Sequence, residues 1–124
     1  MMTWTVECNE ELGIIILTYS GVTTGEEIKK AAVARIDLGK KKGVTKFLID
    51  TRTVKTDESA TFDIYDVPNK IYPSKGDLHE SRIAILEPES STSTKMVQFF
   101  ESVCVNRGWM VKIFQDRESA IRWL

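Results

Sequence analysis

Apolar and polar positions along the chain switch between a period of two and a period near 3.6. Trp4, Val6 and Cys8 alternate with Thr3, Thr5 and Glu7, which predicts a strand with one buried face. Ile14-Ile15-Ile16-Leu17, within Leu12–Tyr19, is apolar at every position, the pattern of a strand covered on both sides. The Asn9–Gly13 connection is short, so the two strands are expected to form an antiparallel hairpin. Beyond Gly21–Thr24, the residues Ile28, Ala31, Ala32 and Ile36 recur at helical spacing. Thr24 and Glu27 fit a capping box at the start of this helix. Lys40-Lys41-Lys42 and then Gly43 suit its end, where cations meet the negative helix terminus and glycine takes a positive φ.

A third strand is predicted over Lys46–Asp50. The following helix carries Phe62, Ile64, Tyr65 and Val67, with Asp57 as its cap. Pro68 is expected to break or kink it, because proline lacks an amide and clashes with the preceding turn. Asn69–Tyr72 reads as a second short turn and Pro73–His79 as loop. Arg82–Glu87 is the fourth strand. Pro88 and the stretch Ser90–Thr94 lead into a helix with Met96, Phe99, Phe100, Val103 and Cys104 on one stripe, ended by Gly108. Met110–Phe114 is the fifth strand, and Asp116 opens a last helix bearing Ala120, Ile121 and Leu124.

The element order ββαβαβαβα fills all 124 residues, a length suited to one domain. Crossover helices between strands favour a parallel sheet. The expectation is therefore a single α/β domain, with a five-stranded, mostly parallel sheet, an N-terminal antiparallel hairpin and about four helices. Ligands and partners of parallel sheets commonly meet the carboxyl ends of the strands. Here that edge carries Gly21–Thr24, Asp50–Ser59, Glu87–Thr94 and Gln115-Asp116. A partner or an anion is expected there at Asp50, Arg52, Asp57, Ser90, Ser91 and Thr92. The Ser/Thr residues stand where free helix amides and the helix dipole favour negative charge, and Arg52 can offer a two-pronged contact. Phe62, Ile64, Tyr65, Val67 and Ile71 are expected to line an apolar pocket beneath the helix at Pro68, with Phe62, Tyr65 and Ile71 as its leading candidates.

Charge and motif content narrow the function classes. Seventeen basic residues face 18 acidic ones, for a net charge of −1, without the basic excess of a nucleic-acid binder. No apolar run reaches membrane-spanning length, and Met1-Met2-Thr3 lacks a charged-then-apolar leader. A cytoplasmic protein without nucleic-acid or membrane partners is expected. Cys8 and Cys104 form no CxxC pair and read as free packing thiols. The one histidine, His79, lies in a polar stretch with Asp77 and Glu80. No metal-ligand spacing, GxSxG elbow, GxxxxGK[ST] or GxGxxG pattern is present. No catalytic residue, cofactor or metal is expected.

Three local features accompany the element order. Phe47-Leu48-Ile49-Asp50 leads to Asp57-Glu58-Ser59-Ala60, an apolar strand ending in Asp and then a loop opening a helix. Arg82-Ile83-Ala84-Ile85-Leu86 is a later central strand. The chain ends Ala120-Ile121-Arg122-Trp123-Leu124. In these features the chain resembles the anti-sigma-factor antagonist family with the SpoIIAA-like, or STAS, fold, and its ending resembles the uncharacterised SpoIIAA-like branch. Antagonists carry a phosphorylated serine in Asp-Ser-Ser-Gly. The resemblance places that switch at Ser59, although Glu58 and Ala60 depart from the motif. It implies a regulatory module that binds a protein partner, with homodimerisation among its assemblies. The alternative is a carrier of a small apolar or anionic ligand, similar to CRAL-TRIO domains.

Overall fold

The computed structural model describes residues 3–55, 60–76, 80–89 and 91–124, with the backbone alone at Ser91 and Thr92. The elements are β1 (Trp4–Asn9), β2 (Ile14–Val22), α1 (Gly25–Lys42), β3 (Lys46–Lys55), α2 (Thr61–Asp66), a π-helical turn (Val67–Ile71), α3 (Tyr72–Ser74), β4 (Arg82–Leu86), α4 (Ser91–Asn106), β5 (Met110–Phe114) and α5 (Arg117–Trp123). The five strands lie in sequential order. β1 is antiparallel to β2, and every later neighbouring pair is parallel.

Sequential parallel strands joined by right-handed crossovers place every intervening helix on one face. The two cores follow this rule. Ile15, Leu17, Phe47, Ile49, Ile83, Ile85 and Val111 point to the side of α1 and α4, joined by Ala32, Ile36, Val67 and Cys104. Ile14, Ile16, Leu48, Ala84 and Leu86 point the other way, under Ala120, Trp123 and Leu124 of the α5 region. The central strands are apolar throughout because helices cover both faces.

α1 forms as its ends predict. Thr24 Oγ1 accepts the Glu27 amide at 3.2 Å, and Gly43, at φ 67°, closes the C-terminus on Gly39 and Lys40. The Glu27 carboxylate makes a tertiary contact as well, accepting the Trp4 indole N–H at 2.9 Å and tying α1 to β1.

Two expectations need correction. β3 does not end at Asp50. It continues to Lys55, pairing Thr53, Val54 and Lys55 with Ser20, Gly21 and Val22 of a lengthened β2. Between Thr18/Asp50 and Ser20/Thr53, β2 advances two residues and β3 three. This bulge re-aims the side chains, so that Thr51 and Val54 both come to lie on the helix side. Pro68 does interrupt the α-helix, which ends at Asp66, but Asn69–Tyr72 is not a separate turn. The chain runs from α2 through the π-helical turn into α3, and the wider turn takes up the extra room that a proline ring requires.

Candidate functional site

The helix side of the sheet is not filled solid. Between α1, α2 and α4 lies a cavity of about 70 Å³. Its floor is Tyr19, Ile49, Thr51, Val54 and Ile85 of the sheet. α1 supplies Ile28, Ala32 and Arg35, the α2–π segment supplies Ile64 and Val67, and α4 supplies Met96, Val97 and Phe100. Thr51 has its hydroxyl spent on the Leu86 carbonyl oxygen, so the lining is apolar apart from Arg35 and the Tyr19 phenol.

Arg35 is the unexpected member. It is 2% exposed. Its guanidinium lies 5.2 Å from the ring centres of both Phe47 and Tyr72 and donates from Nη2 to the Tyr72 hydroxyl. No carboxylate among the described residues pairs with it. The groups that sense its charge are Tyr19, Tyr72 and Cys104. Burial drives both phenols well above their ordinary range and pushes the Cys104 thiol up to about 12, while Arg35 opposes each shift. All three are therefore neutral at pH 7, and an arginine cannot lose its proton to escape burial. Arg35 also lines a second cavity of about 240 Å³ toward the amino ends of β3 and β4, beside Lys40, Gly43, Tyr72 and Ser81.

α2 is fastened over the first cavity by charge and by close approach. Lys29 of α1 reaches Asp63 at 3.0 Å and Asp66 at 3.1 Å, and Lys70 also pairs with Asp66. Gly25 permits the approach, since a Cβ there would stand 1.9 Å from Asp63 Oδ2. Hydrogen bonding from Lys29, helped by Lys70, holds the Asp66 carboxyl below the usual aspartate range. A carboxyl lowered by folding stabilises the folded form above its unfolded pKa, and the contribution is lost as pH falls through the folded value. We therefore expect amide protection factors over 61–74 to fall in acid ahead of those of β3. Hydrogen exchange followed by NMR at graded pH checks this, and equal loss in both segments would contradict it.

The residues expected from sequence are dispersed. Asp50 and Arg52 pair with each other, Arg52 Nε and Nη2 reaching Asp50 at 3.1 and 2.8 Å. The guanidinium fork is thus occupied within the chain. Burial pushes the Asp50 carboxyl up, but hydrogen bonds from Arg52 and the charge of Arg117 hold it below the usual range. At this edge the Glu89 amide donates to the carbonyl of Arg52 and the Thr23 amide to that of Lys55, both residues of β3. Asp57, Ser59, His79 and Ser90 lie outside the described residues, as do the side chains of Ser91 and Thr92. Farther along the same stretch, Ser93 is turned inward and donates to the Val54 carbonyl, and Thr94 donates to that of Pro88.

Of the five expected pocket residues, Ile64 and Val67 line the apolar cavity and Phe62, Tyr65 and Ile71 do not. Phe62 is 83% exposed, Tyr65 lies across Phe99 with ring centres 6.4 Å apart, and Ile71 packs on the core edge. Arg35 and Tyr72 were not among the expected site residues. Arg35 had a visible signal, because it occupies the apolar stripe Ile28, Ala31, Ala32, Ile36 one position before Ile36. A charge on a buried stripe needs an explanation. Among the described residues, no cluster of His, Cys, Asp and Glu could hold a metal, and no helix is long and apolar enough to cross a membrane.

No family model matches the sequence, and no curated protein matches it. Among solved structures the chain is similar to an uncharacterised protein of the DUF3478 family, with a SpoIIAA-like fold, from Shewanella loihica PV-4. The TM-score is 0.60 at 17% identity, over 98% of this chain and 91% of that one. The fold is SpoIIAA-like: α/β, with an antiparallel N-terminal pair leading into an otherwise parallel five-stranded sheet.

Proposed function

We propose that this protein is a non-catalytic binding domain that receives a small ligand in the helix-side cavity. The observation that carries this reading is the hollow itself: apolar side chains from the sheet, α1, α2 and α4 surround about 70 Å³. Interiors are ordinarily packed like crystals, and an apolar hollow takes up apolar guests. Ligands longer than a few atoms require α2 and the π-helical turn to swing outward. The charge contacts that hold α2 are surface pairs of modest strength, so the cost of that movement is set by the exposure of Ile64 and Val67.

Calorimetric titration with primary alcohols from butanol to octanol tests the proposal. Each buried methylene contributes about 0.8 kcal/mol, so affinity should rise roughly fourfold per carbon until the space beneath α2 is full. Absence of saturable binding across the series would refute it.

A second reading is a regulatory protein-interaction module, as in the anti-sigma-factor antagonists that share this fold type. It is favoured by Phe62, 83% exposed, and Val22, 73% exposed. Exposed apolar side chains of this size, when they form a patch, mark contact sites. A protein partner or a second copy of the chain is the occupant this reading requires. A dimer seen by light scattering and lost in Phe62→Ser would support it, and a monomer whose behaviour is unchanged in Phe62→Ser would count against self-association through this surface.

A further inference from the structure

We infer that the ligand of the helix-side cavity is a small carboxylate with an apolar body, its head group held by Arg35. The inference rests on the reading of the cavity as a ligand site and names what enters it. Arg35 lines both the apolar cavity and the larger one beyond it, and so stands where the two approach each other. It is 2% exposed, and desolvating an ion of this kind costs several kcal/mol. The Phe47 and Tyr72 rings recover part of that cost through cation–π attraction. They supply no negative charge. The one hydrogen bond that Arg35 makes goes to Tyr72, and its other N–H groups find no acceptor among the described residues.

Several features specify the class of guest. A single buried cation is balanced by a single negative charge. A planar guanidinium matches a carboxylate in a two-pronged contact. The Tyr72 hydroxyl accepts from Arg35 and lines the second cavity, which leaves Arg35 as the polar anchor shared with the apolar one. The remaining lining, Ala32, Ile49, Ile85 and Phe100 among it, asks for hydrocarbon. Each half of such a ligand meets the part of the site that suits it, and the buried charge gains a partner only when the ligand is present.

The test compares three head groups on one six-carbon body by calorimetry: hexanoate, hexanol and hexylamine at neutral pH. The inference predicts hexanoate at least tenfold tighter than hexanol, with no detectable binding of hexylamine. In Arg35→Met the hexanoate-to-hexanol affinity ratio should fall to about one. Should that variant fail to fold, the wild-type series alone decides. Hexanol equal to or tighter than hexanoate overturns this inference while leaving the cavity reading intact. Binding of none of the three overturns both.

Discussion

Leu48→Asp should leave no folded protein. Leu48 is 1% exposed, the third residue of β3, with Ile16 of β2 and Ala84 of β4 as its neighbours in register. Its side chain belongs to the layer closed by Ala120. Losing the leucine alone costs about 2–5 kcal/mol, and an unpaired carboxylate in the same place adds several more. A domain of this size has only about 5–15 kcal/mol of stability in all. Circular dichroism of Leu48→Asp should show no cooperative melt, whereas Leu48→Ala should melt cooperatively with a loss of about 2–5 kcal/mol. A soluble, cooperatively melting Leu48→Asp would contradict the two-sided burial of β3.

Ala32→Leu should abolish ligand binding without harming the fold. Ala32 is 3% exposed on α1 and lines the apolar cavity. The larger side chain would occupy the hollow that a guest needs. Each added carbon buried there contributes up to about 0.8 kcal/mol, less the strain of a tight fit. The net expectation is an unchanged or higher melting temperature, with a gain of about 0.5–2 kcal/mol. Hexanol and hexanoate titrations should then show no saturable heat. Binding equal to wild type in a folded Ala32→Leu protein would place the ligand elsewhere.

The course of the chain was legible because its strongest signals are local. Ile14–Leu17 and Phe47–Ile49 lack polar residues on either face, and each of these side chains is buried. The extension of β3 was hidden because Asp50 and Arg52 look like loop residues, while their pairing with each other lets them sit in a strand. Thr51, Thr53 and Val54, all β-branched, carried the opposite signal. Pro68 was read by its usual effect on an α-helix, and α2 does end before it, the chain continuing as a π-helical turn.

The candidate site was less legible because it depends on which faces meet. Spacing marks Phe62 and Tyr65 as apolar members of a helix, but only the docking of α2 through Lys29 and Gly25 turns Ile64 and Val67 inward and Phe62 outward. Tyr72 meets Arg35 across 37 positions of sequence. At the carboxyl ends of the strands, Thr23 and Glu89 bring the segments after β2 and β4 against β3. Its arginine is committed to Asp50, and the cationic side chain that lines the apolar cavity is Arg35 of α1.

Ligand binding at this site requires that the space above Ile49 and Ile85 be hollow and open to a guest. Xenon enters dry apolar cavities without needing any polar contact. A crystal of the wild-type protein held under xenon pressure should show a xenon atom among Ala32, Ile49, Ile85 and Phe100, absent from an Ala32→Leu crystal treated in the same way. A wild-type crystal with no xenon there, and with side chains filling that volume, would contradict it.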